Sequence, residues 1–347
     1  MATPADKSSK FRASQVLKPI LFIGIGFFFI YWFLLKLEPE QKRTVWESFV
    51  GANYGWVAAA MVCCLFSHLV RALRWQLLYR PLGYRPSLNK TFGSVVVAYM
   101  ANLAFPRLGE VLRCATLRTS ADIPIEKSLG TVVTERVIDV LLFGLVVLAG
   151  MLVMYSDIKG WLYDGLLQKA GSLPSLPLLC ALLVGAALIG WAGYRLFWKR
   201  LLRFAPFRKI DSLVRGCFDG VASIFHLGLK DTCLFVFYSL FIYFLYMLGG
   251  FIIFQAFLET AGLGVKAAFA LYLFGSIGMT FSQGGLGVYP VMVQLALALY
   301  GITLEVGTAA GWLLWGSQQT IIIAVGLGYT VYFSLCKKRN KLIETNQ

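Results

Sequence analysis

Residues 91–118 read TFGSVVVAYMANLAFPRLGEVLRCATLR. The stretch is apolar from Thr91 to Phe105, breaks at Pro106, and then carries Arg107, Glu110, Arg113 and Arg118. A bilayer core of ~30 Å needs ~20 predominantly apolar residues in one helix. The first part is too short for that and the second too polar. Pro106 suits the first position of a helix, where no backbone N–H is needed. The stretch predicts a helix that enters a membrane, turns near Pro106 and leaves on the side it came from, a re-entrant hairpin over residues 88–118.

A second stretch has the same character. Lys266–Phe281 is apolar but short, Gly284-Gly285-Leu286-Gly287 frees the backbone, and a helix can restart near Val288 with Pro290 in its first turn. Residues 266–301 therefore predict a second re-entrant hairpin. Around the two hairpins lie six stretches long enough to span: Pro19–Leu37, Gly55–Trp75, Leu129–Tyr155, Leu176–Phe197, Thr232–Leu258 and Val306–Leu335. Composition agrees, with 58% apolar and 14% charged residues, about half the usual charged fraction of a soluble protein. Pro19–Leu37 has basic flanks, as a signal peptide does, but no small-residue cleavage site follows, so it reads as a retained first span. The fold class is an all-α polytopic membrane protein, one transmembrane domain over residues 1–347 with no soluble domain left over.

Loop charge sets the orientation. The net charge of +15 is concentrated beside spans, in the N-terminal tail, after span two, in segment 195–231 and at the C-terminus. Loops 36–54 and 156–175 are balanced. Excess Lys and Arg beside spans is the positive-inside pattern, so a nucleic-acid partner is rejected. With both termini in the cytoplasm, every strongly basic segment falls inside, provided that each hairpin enters and leaves on one side. The first half, about 19–155, then begins by crossing outward and the second, about 176–335, by crossing inward. That is an inverted repeat by order and hydropathy, and paired, Gly/Pro-interrupted short segments point to a midplane binding site in a transporter. Apolar residues at helical spacing over 210–227 predict a helix lying on the membrane surface or packed as a connector on the bundle.

The seven cysteines lack CxxC spacing, and His68 and His226 stand alone. No metal site, disulfide framework or cofactor is expected. The chemistry lies in charged residues at membrane depth: Arg107, Glu110 and Arg113 in the first hairpin, and Glu135, Arg136 and Asp139 in the first turns of the span Leu129–Tyr155. Six such charges facing lipid would cost on the order of 15–20 kcal/mol as a simple sum. They must pair, line a wet cavity or sit at the interface. Glu135 and Asp139 are four apart and share a helix face, within reach of Arg113 or Arg107. At the hairpin tips two helix N-termini would approach each other and attract an anion. Gly284, Gly285 and Gly287 either open that site or serve tight helix packing. Asn102 and Gln283 would add hydrogen bonds there.

Arg74-Trp75, the run Asn102-Leu-Ala-Phe-Pro106-Arg107-Leu-Gly109-Glu110-Val-Leu-Arg113, Glu135-Arg136 with Asp139, and the Gly284–Gly287 run together resemble the membrane domain of the lysylphosphatidylglycerol synthase/flippase family. The resemblance covers nearly the whole chain. It implies a multi-pass bacterial or archaeal inner-membrane protein with a flippase-like domain, which in bifunctional members moves an aminoacylated anionic lipid between leaflets. The sequence ends at Gln347, so the soluble aminoacyl-transferase domain of those members is expected to be absent. Tyr289-Pro290 stand where members commonly carry an acidic residue.

The expected activity is transport rather than catalysis. An anionic phospholipid or polyprenyl-phosphate lipid would pass its head group through a polar cavity, with Arg107 and Arg113 binding it and Glu110, Glu135 and Asp139 holding the arginines or titrating. Two rivals remain open: a membrane-embedded transferase acting on a lipid phosphate, with Glu110 or Asp139 as base, and a non-transporting partner of envelope enzymes.

Overall fold

The structure, a computed structural model, describes residues 38–104, 108–154 and 227–345, together with Gly185. All regular structure among them is helical: α1 (Pro39–Gly51), α2 (Tyr54–Tyr79, continued by a 3₁₀ turn at Arg80–Leu82), α3 (Leu88–Ala104), α4 (Leu108–Ala121), α5 (Ile125–Val153), α6 (Leu229–Phe254), α7 (Val265–Phe281), α8 (Val288–Ala298) and α9 (Leu304–Thr345). Three segments are long and apolar enough to cross a bilayer: Tyr54–Leu82, Leu229–Phe254 and Leu304–Cys336. These coincide with three of the spans expected from hydropathy. The fourth, Leu129–Tyr155, falls on the 29-residue α5, whose charged residues end at Asp139. The expected spans Pro19–Leu37 and, but for Gly185, Leu176–Phe197, and all of the 210–227 helix but Leu227, lie outside the described residues.

Both broken stretches fold as pairs of helices packed on each other. α3 ends at Ala104 and α4 begins at Leu108. Their backbones approach so closely that a Cβ on Gly109 would lie 2.1 Å from the Ala98 carbonyl oxygen. Between α7 and α8 the chain turns through Gly284, Gly285 and Gly287 at φ of 61°, 80° and 75°, a left-handed region that side chains other than glycine rarely adopt. The glycine turn meets the end of α3, since a Cβ on Gly284 would stand 2.7 Å from Leu103 Cδ2.

Cross-links define the two ends of the helical assembly. At one end Tyr79 donates to Ser128 Oγ (3.0 Å), Arg80 pairs with Asp231 (2.6 Å) and Tyr329 donates to Asn89 Oδ1 (2.6 Å). This end gathers the close of α2, the start of α3, the starts of α5 and α6, and the far part of α9. At the other end the Asn53 N–H donates to the Ala256 carbonyl (2.9 Å) and Gln41 Nε2 to Glu305 (2.9 Å). The α3–α4 pair begins and ends at the first end, and the α7–α8 pair at the second.

One reading needs correction. Segment 36–54 was expected to be a loop, yet it holds α1. Pro39 takes the first turn, and the Glu38 N–H donates to Gln41 Oε1 at 3.0 Å, a local stop-and-start signal that hydropathy does not register. Val45 and Phe49 pack into a core with residues of α2, α6, α7, α8 and α9. A second core joins the other half of α2 to α3, α4, α5 and the start of α6.

Candidate functional site

Arg71 and Arg74 lie three apart on one face of α2, and Glu135 and Asp139 four apart on one face of α5. Helix periodicity aims each pair at a common point. Arg74 donates to Glu135 Oε1 (2.7 Å), to Asp139 Oδ1 and Oδ2 (2.5 and 3.1 Å) and to Ser239 Oγ (2.8 Å). Arg113, from α4, donates to Glu135 Oε2 (2.8 Å) and lies 3.5 Å from the centre of the Trp75 ring. Trp75 is itself fixed by its indole N–H on Thr131 Oγ1 (2.9 Å). Glu135 is wholly buried and Arg74 is 1% exposed, so these charges are not shallow interfacial groups. Taking them out of water costs several kcal/mol per ion unless close pairing returns it.

Arg71 and Arg136 are held more loosely. Arg71 stands 3.5 Å from Glu135 and 3.6 Å from Asp139, and donates to the Tyr246 hydroxyl at 2.9 Å. Arg136 stands 3.3 Å from Glu135, 3.6 Å from Asp139 and 3.8 Å from Glu110. Among the described residues the cluster thus sets four guanidinium groups against three carboxylates. One positive charge is left over across the cluster.

Arg71, Arg136 and Asp139 face a cavity of about 370 Å³. Its other walls come from α6 (Tyr243, Tyr246), α7 (Tyr272, Ser276), α8 (Tyr289) and α9 (Gln318, Gln319). The cavity therefore lies between helices of the two halves of the chain. Its edge includes Val140, Met279 and Thr280, all at the surface of the helical assembly. Residues 19–326, containing both hairpins, the cluster and nearly all of the spans, match the lysylphosphatidylglycerol synthase TM region. The chain belongs to that family. It is also 34% identical over 108 residues to the glycosyltransferase AglD of Haloferax volcanii, a match covering 31% of this chain and 17% of that protein. No solved structure matches it. Membrane-spanning helices and membership of this lipid-related family make it a multi-pass membrane protein.

Seen against this family's membrane region, the residues singled out from sequence divide by position. Arg136 and Asp139 line the cavity, while Arg113 and Glu135 sit behind its wall. Glu110 stands at the outer side of Arg136, its side chain 43% exposed. Asn102 Oδ1 accepts the Gly109 N–H at 2.8 Å and so satisfies a backbone donor at the start of α4. The Gly284 carbonyl accepts the Trp315 indole N–H at 2.7 Å, which ties the glycine turn to α9. Arg107 and the side chain of Gln283 lie outside the described residues. Arg74 stood out in the sequence only through the Arg74-Trp75 pair of the family resemblance, and Arg71 only as one more basic residue near the end of span two. The structure instead buries them inside α2, with Arg71 eight residues before Tyr79 and so about 12 Å from the helix end at 1.5 Å per residue. The available signal was their three-residue spacing within an apolar run. The tyrosine and glutamine wall carried no comparable signal, because tyrosines are also common at membrane interfaces.

Proposed function

We propose that this protein is a flippase-like transporter that moves an anionic or polyprenyl-phosphate-linked lipid between leaflets. The observation that carries this reading is the excess positive charge of a buried cluster whose loosest arginines, Arg71 and Arg136, border a cavity between the two halves of the chain. One phosphodiester would balance that charge. A lipid head group crosses hydrocarbon slowly because its charge loses water. Guanidinium and hydroxyl donors replace that water, while the tails remain in lipid at the edge formed by Val140 and Met279. Arg74, Arg113 and Glu135 form a rack that positions the two working arginines rather than touching the head group.

The proposed membrane arrangement is six spans with α3–α4 and α7–α8 as re-entrant hairpins in an inverted repeat. Their opposite ends of entry support it. Arg80, Arg85, Lys90, Arg118, Lys127 and Lys230 gather at the first end against Lys42, Arg43 and Lys266 at the other, which supports a cytoplasmic first end, hence cytoplasmic termini in an inner membrane. The test is reconstitution into liposomes with a fluorescent phosphatidylglycerol in both leaflets and a membrane-impermeant quencher outside. Loss of protected signal should accelerate with protein, and Arg71→Gln should slow it by about tenfold or more, as removal of a charge-assisted contact does. No acceleration with any of phosphatidylglycerol, cardiolipin and a polyprenyl phosphate would reject transport. The similarity to the Haloferax volcanii glycosyltransferase favours a second reading, a transferase acting on a lipid phosphate. Chemical change of a bound lipid phosphate on adding sugar-nucleotide donors would establish it.

A further inference from the structure

Arg136 has two neighbourhoods. On one side it lines the cavity with Arg71 and Asp139. On the other it meets Glu110 of α4, whose carboxylate stands 3.8 Å from its Nε, with side chains 41% and 43% exposed. Glu110 lies eleven residues before the close of α4 and Arg136 eleven after the start of α5. Each is therefore about 16 Å from the first end at 1.5 Å per residue. The surface around the pair is apolar. Leu108 and Val111 on α4 are exposed, as are Val133 and Val140, three before and four after Arg136 on one face of α5. Charged groups at such depth are costly against lipid and mark a wet path instead.

Glu110 also differs from the other two carboxylates of the cluster. Glu135 accepts from Arg74 and Arg113, and Asp139 from Arg74. Glu110 accepts no hydrogen bond among the described residues, and its ion pair is the longest in the cluster. We propose that the crevice between α4 and α5 is the entry to the cavity from the first-end leaflet and that Glu110 gates it, holding Arg136 while the cavity is empty and yielding it to an incoming phosphate. This rests on the reading that the cavity binds a lipid phosphate, and it names how one leaflet reaches it. A phosphate and a carboxylate on one guanidinium repel each other, and Glu110 is the carboxylate whose departure breaks no hydrogen bond. In the first turn of α4 the helix N-terminus favours its charge after it has let go. Arg136 keeps Glu135 at 3.3 Å as an anchor and turns its remaining donors to the phosphate. Return of Glu110 displaces the phosphate, so the gate serves release as well as entry.

Native mass spectrometry of the full chain in detergent, titrated with phosphatidylglycerol, tests this. Glu110→Gln removes the competing charge and should raise retention about three- to fivefold, the scale of one partly exposed ion pair. A misfolded variant gives no such gain. Glu110→Asp keeps the charge but withdraws it from Arg136 by one methylene. It should raise retention too, whereas a field acting at a distance would be unaltered by it. In an Arg136→Gln background, which itself weakens binding, Glu110→Gln should add nothing. Retention unchanged or lowered in Glu110→Gln, a Glu110→Asp variant that matches wild type, or an equal gain with Arg136 removed each overturns the gate. Displacement of the retained lipid by excess glycerol 3-phosphate would reassign the crevice to a soluble phosphate ester and overturn entry from a leaflet. Raised retention in both Glu110 variants without flipping in liposomes would reject transport and leave the gate standing. Flipping by the wild-type protein with retention blind to Glu110 would keep transport and overturn the gate.

Discussion

Glu135 is the residue on which the charged cluster turns. Its two oxygens accept from Arg74 at 2.7 Å and Arg113 at 2.8 Å, with Arg71 and Arg136 at 3.5 and 3.3 Å. Replacing it by glutamine keeps the shape but removes the charge that compensates two buried guanidinium groups. Breaking such a pair typically costs ~3–5 kcal/mol, so Glu135→Gln should unfold at a markedly lower temperature in detergent. Arg113→Met in the same background removes one orphaned charge and should recover part of that loss. Strict additivity of the two substitutions would show that the pair is not coupled. The Arg113–Glu135 contact was one of the pairings open from sequence, because charges at membrane depth must pair, line a wet cavity or sit at the interface, and Arg113 or Arg107 could reach the Glu135 face. The contacts of Arg71 and Arg74 were not. Hydropathy counts residue types along a window, and an arginine near the end of a span looks the same whether it faces lipid head groups or a carboxylate on the next helix.

At the scale of elements, the glycine turn and the close helix pair make separable demands. Gly285 has φ of +80°, and a Cβ there would meet Met279 Sδ at 2.4 Å, Tyr289 Cβ at 3.0 Å and Trp315 Nε1 at 3.1 Å. Gly285→Ala therefore adds the ~1–2 kcal/mol of a left-handed residue to a steric clash, and should lower thermal stability and flipping together. Gly301 has a similar φ of +77° with nothing within 4 Å, and asparagine tolerates that region. Gly301→Asn should leave both measurements near wild type. If the two variants behaved alike, backbone strain alone would account for both and the packing around Gly285 would carry no weight. Gly109→Ala should separate α3 from α4, because the obstacle is the Ala98 backbone rather than a flexible side chain. The existence of both breaks was readable from Pro106 and the Gly284–Gly287 run. That the glycine turn touches the end of α3, through Leu103 and Gly284, was not, since nothing in local pattern fixes which helices become neighbours. The 13-residue α1 was missed because its stability comes from its cap and from Val45 and Phe49 against the core, not from a long apolar run.

For the whole molecule, the decisive property is that the two hairpins open from opposite ends of the helical assembly while the cavity lies between them. A head group can pass between leaflets only if the site communicates with both, and in the arrangement proposed above the antisymmetric pair of hairpins would give the arginines an approach from each side. The arrangement makes a direct claim about sidedness. Cys336, exposed near the far part of α9, belongs to the same end as Arg85. Lys42 on α1 is exposed at the opposite end. In intact cells a membrane-impermeant maleimide should leave the native Cys336 unmodified until the membrane is permeabilised, and should label a Lys42→Cys variant at once. An Arg85→Cys variant should behave as Cys336 does. Labelling of Lys42→Cys and Arg85→Cys from the same side would remove the proposed arrangement, since α2 would then fail to cross between them. The reverse pattern, with Cys336 and Arg85→Cys reactive from outside and Lys42→Cys protected, would keep both hairpins and invert the protein. In that case the basic end would face away from the cytoplasm, against the charge rule that fixes orientation, and a membrane-surface partner for Arg80, Arg85 and Lys90 would have to explain it.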